Sequence, residues 1–337
     1  MTQKVKAKAA RADRSGKSEA KKATAKAPEK ATVKAAEKAV ASARPTARAG
    51  GEDTSRGAAA RKARRPSAQL AARLNSALEF EGDVVARLRM VGKAVGGRIT
   101  FSTSLGLEDQ ALLHALAESG VPVDVFTLDT GRHFPETLDV LDRSNLKYGR
   151  RVEPIRLVFP DALETEELVT RDGVFGFRAS VEQRKACCDV RKVRPLNRSL
   201  SGAAVWLTGL RRAQSAGRAS VPFAEYDDKL DLLKINPLAD WSLEWLDAYV
   251  EQHRVPVNEL HSKGYPSIGC QPCTRAIEEW EDIRAGRWWW ENEDGKECGL
   301  HSPNRPKATA IDVSKPNAPI LTVNGKPKQI QGQGTQA

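Results

Sequence analysis

The apolar positions begin with a helical period. Leu70, Leu74, Leu78, Val84, Val85, Leu88 and Val91 recur at near-helical spacing, and Gly96-Gly97 closes the region. The period then changes. Arg98 to Ser102 reads as a strand, and Leu107, Ala111, Leu112, Ala115 and Leu116 line one face of a helix that Gly120 stops. Val123 to Asp129 is a second strand. Pro135 opens a second helix with Leu138 and Leu141 inward, and Pro154 to Val158 is a short third strand. Farther on, Val181 to Arg194 reads as a helix ended by Pro195. Ala203 to Thr208 and Leu230 to Ile235 read as strands, and Trp241 to Gln252 as a helix capped by Asp240. Thr274 to Ala285 places Ala276, Ile277, Trp280 and Ile283 on one helical stripe. Strands alternating with helices at this spacing predict an α/β fold, a parallel twisted sheet with helices on both faces.

The flanks break the pattern. Residues 1–68 are rich in Ala, Lys, Arg, Ser, Thr and Pro and hold no aromatic residue, so they bury too little apolar surface to offset ordering entropy. A disordered basic tail is expected there. The net charge of +11 belongs to that end: residues 1–73 carry 20 Lys+Arg against 6 Asp+Glu, and the remainder 34 against 37. Such a tail is a solvated flank, a non-specific polyanion contact or, from its Arg and Ala content, a mitochondrial transit peptide. Residues 69–302 are expected to form one α/β domain ending in a catalytic segment, 288–302, followed by a flexible tail over 303–337. No run of 18 apolar residues and no secretory core occurs, so a cytoplasmic, reducing setting without a membrane partner is expected.

Five cysteines carry most of the candidate chemistry. Cys187 and Cys188 are adjacent, Cys270 and Cys273 flank Gln271-Pro272, and Cys298 stands apart beside His301. In a reducing compartment a pair plus a Cys-x-x-Cys reads as a four-thiolate metal centre, with either an iron–sulfur cluster or zinc open. Adjacent helical side chains diverge by about 100°, so one centre gripped by Cys187 and Cys188 demands a local distortion or a large, multi-iron target. Lys185, Arg191, Lys192 and Arg194 crowd that pair with positive charge. Left out of the four, Cys298 is the candidate nucleophile, its thiolate favoured by nearby cations and His301.

Strand ends supply the remaining candidates. Ser102-Thr103-Ser104 precedes a helix start and suits an anionic group, yet the spacing is not that of a Walker A loop and no Lys stands where one would meet a β/γ-phosphate. Leu128-Asp129-Thr130 ends the next strand, its carboxylate available to a ribose, a base edge or a helix cap. Arg284 and Arg287, three apart, form a candidate oxyanion clamp if a helical turn persists through Gly286. His133 falls near this site, His114 reads as core or rim, and His253 and His261 as surface.

Several of these motifs together resemble the assimilatory adenylyl-sulfate (APS) reductases. They are Cys187-Cys188, Lys192, Thr208-Gly209-Leu210-Arg211-Arg212-x-Gln214-Ser215, Cys270-x-x-Cys273, Arg284-x-x-Arg287-Trp288-Trp289-Trp290 and Lys296-Glu297-Cys298-Gly299-Leu300-His301. The resemblance spans about residues 98–301 and implies an adenine-nucleotide α-hydrolase-like fold. It also implies one [4Fe–4S] cluster on Cys187, Cys188, Cys270 and Cys273, and reduction of adenosine 5′-phosphosulfate to sulfite and AMP with thioredoxin as donor. On this reading the nucleotide lies across Ser102–Ser104 and Leu128–Thr130, with Gly209 and Arg211 also in the substrate set. Lys192, Arg218, Arg284 and Arg287 neutralise the phosphosulfate, and Cys298 passes through an S-sulfocysteine. The four cysteines favour APS over 3′-phospho-APS (PAPS), with a PAPS or dual-specificity reductase as the alternative. A more remote alternative is a tRNA-modifying nucleotide-binding protein with iron–sulfur or zinc. No nucleic-acid partner is expected beyond non-specific contact by the basic tail, and a homo-oligomer is compatible with the sequence.

Overall fold

The computed structural model describes residues 65–291. The expectations for the basic tail before residue 65 and for everything after Glu291, Cys298 and His301 included, lie outside the described residues. Elements run in the order α1 (Ala68–Glu79), α2 (Val84–Ala94), β1 (Arg98–Thr103), α3 (Leu107–Ser119), β2 (Asp124–Leu128), α4 (Pro135–Tyr148) and β3 (Arg156–Val158). After them come α5 (Ala162–Asp172), α6 (Val181–Cys188), α7 (Arg194–Leu200), β4 (Ala203–Leu207), β5 (Ala224–Asp227), β6 (Leu232–Ile235) and α8 (Leu243–Gln252).

The six strands form one sheet in the order β3-β2-β1-β4-β6-β5. Five are parallel, as the alternating pattern predicts; β5 pairs antiparallel with β6 at the edge, so the sheet is mixed. The strand went unpredicted because Ala-Glu-Tyr-Asp carries no apolar run; an edge strand half in solvent needs none. Apolar strand residues face two cores. Phe101, Val125 and Leu233 join α1, α2, α3, α4 and α8 in the larger one. Phe126, Trp206 and Leu232 pack on Leu196 and Leu200 of α7 in the smaller, so helices cover both faces.

Several elements differ from their sequence reading for physical reasons. The first helical region is two helices, because the Asp83 side chain accepts from Ala86 N at 2.7 Å and starts a new one. In α4 the inward stripe is Thr137, Val140, Leu141, Ser144 and Tyr148; Leu138 is off that stripe and exposed. Pro195 does not end the helical run: α6 passes through a π turn, Asp189–Val193, into α7, and Pro195 stands in the first turn of α7 directly after that widened turn. Ser242 caps α8 by accepting from Trp245 N at 3.2 Å, while Asp240 receives a two-pronged Arg87 guanidinium at 2.7 Å on each oxygen. Residues 274–285 form no helix. Ile277 N donates to Gly264 O, Arg284 N to an Asp282 carboxylate oxygen, and Thr274 bridges to Arg287 instead. α5 escaped the pattern because it buries only Leu168.

Candidate active site and thiol centre

β1 and β4 are neighbours whose chains leave toward opposite edges of the sheet, β1 toward β2 and β3, β4 toward β6. Such a switch point opens a crevice at the carboxyl ends of the strands. A cavity of about 240 Å³ lies there. Ser102, Thr103 and Ser104 line it at and just past the end of β1, Leu128 and Thr130 at and just past the end of β2, and Gly209 from beyond β4. Lys192, Arg218, Arg284 and Arg287 bring positive charge to the same lining.

The turn after β1 is held by its own side chains. Leu105 takes a left-handed backbone (φ 60°), a strained choice for a branched residue, and its N–H donates to Thr103 Oγ1 at 3.0 Å. Ser104 donates through both N and Oγ to Asp109 Oδ2, each at 2.6 Å. Burial pushes the Asp109 carboxyl up to about 6 despite those hydrogen bonds. Gly209 backs directly onto that carboxylate, where a Cβ would collide with it. Trp206 Nε1 donates to Ser102 Oγ at 2.8 Å. Gln214 Oε1 accepts from Arg218 Nη1 at 2.6 Å and orients that cation toward the cavity. Arg287 lies against Gly269, where an added Cβ would come within 2.5 Å of Cζ, and stacks on Trp288.

The second half of the site is a thiol centre. α6 carries Cys187 and Cys188, and a 3₁₀ turn over Gln271–Cys273 closes with Cys273 N donating to Cys270 O at 2.9 Å. Cys188, Cys270, Cys273, Phe177 and Trp288 form one buried cluster, with Cys187 and Trp290 packed on it, and all four thiols are free. α6 is followed by a π-helical turn, Asp189–Val193, while the pair itself lies in α-helix, with Cys188 at φ −65°, ψ −36°. Three cations stand beside three sulfurs and favour their thiolates: Arg184 at Cys188, Arg191 at Cys187, and Lys192 at Cys270. Thr130 Oγ1 lies 3.3 Å from Cys270 Sγ. Burial raises the Cys187 thiol and carries Cys273 up to about 12, with the neighbouring Cys270 adding to it. Cys270 is also raised by burial, but Lys192, the Thr130 hydrogen bond and Arg287 outweigh that and lower it. Among the described residues no three His, Cys, Asp or Glu side chains converge on a single-ion position. Cys270 and Lys192 belong to both halves, lining the cavity and joining the thiols.

Not every expected residue reaches the cavity. Asp129 turns back to accept from Gly131 N at 2.8 Å and is absent from the lining. Arg211 is buried behind it, donating to Glu108 Oε1 at 2.8 Å and Trp241 O at 3.1 Å. Arg284 and Arg287 both reach it, from a turn closed by Arg287 N to Arg284 O at 2.9 Å rather than from a helix. Lys185 is exposed and Arg194 pairs with Glu164 and Asp189, so neither belongs to the thiol centre. His133 lines the cavity, as its position predicted, with Nε2 2.8 Å from Leu128 O. His261 lines it too, against the surface reading; its Nδ1 lies 2.9 Å from Tyr265 O. His253 is half-buried against His114.

Sequence reasoning passed over Asp109, Trp206 and Arg184. The last had a signal, since it precedes Cys188 by one helical turn.

Comparisons with known proteins agree with this geometry. Residues 98–276 match the phosphoadenosine phosphosulfate reductase domain. The adenosine 5′-phosphosulfate reductase of Agrobacterium fabrum is 51% identical over 232 residues, covering 68% of this chain and 88% of the relative. That of Allochromatium vinosum is 51% identical over 214 residues, 62% and 82% respectively. A phosphoadenylyl-sulfate reductase from Candida auris, solved as a phosphate complex, superposes with a TM-score of 0.53 at 26% identity, covering 63% of this chain and 98% of that one.

Proposed function

The chain belongs to the phosphoadenosine phosphosulfate reductase domain family, and we propose that it reduces adenosine 5′-phosphosulfate to sulfite and AMP in sulfate assimilation. The observation that carries this reading is the junction at Lys192 and Cys270, where a crevice fit for a nucleotide meets three buried thiols and a half-buried fourth. The relatives' names supply the substrate. The cations on the lining supply the reason it binds, because Lys192, Arg218, Arg284 and Arg287 can neutralise a phosphosulfate.

The donor set fits a [4Fe–4S] cluster on Cys187, Cys188, Cys270 and Cys273. Zinc, about 2.3 Å from each sulfur, requires four thiols converging on a point. A cube takes thiolates at separate corners, which suits the diverging adjacent pair at the end of α6. Burial and the neighbouring Cys270 hold the Cys187 and Cys273 thiols protonated until a cation arrives, while Lys192 already favours the Cys270 thiolate. When bound, the cluster supplies order and charge beside the cavity.

In the proposed chemistry the Cys298 thiolate attacks the sulfur of APS, the S–O bond to the nucleotide breaks, and AMP leaves. A thioredoxin thiolate then attacks Cys298 Sγ, sulfite leaves, and the second thioredoxin thiol resolves the mixed disulfide. His301 favours the thiolate. The four free thiols suit a reducing compartment. Among the described residues no helix is long and apolar enough to cross a membrane.

The test is sulfite release from APS, and separately from PAPS, by anaerobically purified protein with reduced thioredoxin. Cys298→Ser is expected to abolish turnover and retain AMP binding; normal sulfite production by that variant would end the scheme. An iron and sulfide assay giving about four of each per chain supports the cluster, and a colourless zinc protein removes it.

A further inference from the structure

One exposed surface is left unused by the scheme above. Val174 and Phe175 are 56% and 61% exposed, and Trp289 is 38% exposed. Between them stands Arg178, its guanidinium within 5.5–5.8 Å of the ring centres of Phe175, Phe177, Trp289 and Trp290. Arg178 also donates to Pro272 O at 3.3 Å, inside the Cys-x-x-Cys turn. Arg132 braces the other side, donating to Val174 O at 2.7 Å and lying 4.8 Å over Phe177. Among the described residues neither Arg132 nor Arg178 is matched to a carboxylate, so the surface is apolar, aromatic and positive. Aromatic residues and arginine are the types that anchor protein interfaces.

We propose that this surface, Val174, Phe175, Arg178 and Trp289, is the docking site for the dithiol protein that discharges Cys298; the inference rests on the functional reading above. Two arguments select that occupant. Cys298 follows Trp289 by nine residues, so even a fully extended chain keeps it within roughly 32 Å of that end of the surface. A protein whose thiol attacks Cys298 Sγ must therefore rest near it. The two arginines further suit a partner with an apolar face around its dithiol and carboxylates at the rim.

The experiment separates the two half-reactions. Arg178→Glu and Phe175→Ser are compared with wild type in anaerobic protein of matched iron content. S-sulfocysteine formation at Cys298 is followed by mass spectrometry with APS and no donor, and steady-state sulfite release is followed against reduced thioredoxin. The expected result is donor-free formation within about twofold of wild type, with the KM for thioredoxin raised about tenfold and kcat retained. A KM unchanged in both variants overturns the proposal, leaving the surface to a second copy or to this chain's own C-terminal residues. Slowed donor-free formation or lost iron in both overturns it as well, because the surface then serves the thiol centre. Wild-type protein that forms no S-sulfocysteine sinks the functional reading itself, a result no variant is needed to see.

Discussion

The nucleotide cavity and the thiol centre share Lys192 and Cys270 but are held by different kinds of structure. The cavity stands where β1 and β4 diverge, at strand ends fixed by five parallel strands and two cores. Its position follows from topology and does not depend on any one lining side chain. The thiol centre has no strand beneath it. A helix ending in a π turn, a 3₁₀ turn and an irregular stretch meet there, and Trp288 takes a left-handed backbone, φ 44°. Buried cations hold those pieces together, so single substitutions should damage the second half far more than the first.

Arg184 and Glu291 test this most severely. Arg184 donates to Glu291 through Nε at 2.9 Å and Nη2 at 2.8 Å, stacks on Trp288 and meets Cys188. Both side chains are nearly fully buried, at 1% and 4% exposure. Removing one partner of a buried pair strands the other charge, at a cost of about 3–5 kcal/mol. Glu291→Ala should therefore lose that much stability in urea and most of its iron, whereas Ser102→Ala at the cavity, which strands only the neutral Trp206 Nε1 donor, should lose about 1–3 kcal/mol and none of the iron. Equal damage from the two would erase the distinction between the halves.

The cavity does have one sensitive point, Asp109, and pH exposes it. Its folded pKa, about 6, lies above the ordinary 3.8. Below that ordinary value both folded and unfolded states hold the proton and its contribution to stability is fully present. As pH rises from about 4 to 6 the unfolded chain releases the proton while the folded one keeps it, so stability falls by about 2–3 kcal/mol and then levels. Asp109→Asn should flatten that part of the profile. Thermal melts of both proteins at pH 4.5 and 6.5 measure it, and parallel profiles would reject the role given to burial.

A smaller effect is expected at the seam between the halves. Gly269→Ala would place a methyl against the Arg287 guanidinium and push that cation off its seat on Ser267 Oγ and Ile268 O. AMP or APS binding by calorimetry should weaken about tenfold, some 1.4 kcal/mol, with the melting temperature little changed. Undiminished binding would show that Arg287 does not need that seat.

The same contrast explains what could be read in advance. Ile99, Phe101, Val125 and Val205 sit on strands buried on both faces, so they announce the parallel sheet and with it the position of the cavity. The four cysteines were legible as a set because they are few. Asp109 was not, since a charged residue is read as exposed until its buried partner is known, and Arg184 was passed over for the same reason although its place one turn before Cys188 marked it. Asp129 was placed in the substrate set by its strand-end position and Arg211 by motif, but a carboxylate can bond within its own turn and an arginine can pair behind the wall.

Trp280 sharpens the comparison with the smallest effect of all. Its spacing with Ala276, Ile277 and Ile283 predicts the inner stripe of a helix, and a tryptophan so packed would lose about 3–5 kcal/mol on truncation. In the folded chain it is 83% exposed. The segment around it is built from local polar bonds: Arg275 donates to both Glu281 oxygens, and Glu278 N donates to the same carboxylate. These bonds satisfy the backbone without an apolar face, which is how an irregular stretch can lie beside the thiol centre and still deliver Arg284 and Arg287 to the cavity. Trp280→Ser should therefore change stability by no more than about 0.5 kcal/mol, while Glu281→Gln, which weakens the bonds that shape the stretch, should change it more. If chemical denaturation ranks the two the other way, apolar packing holds this wall after all, and the contrast between the halves of the site fails where it was drawn most sharply.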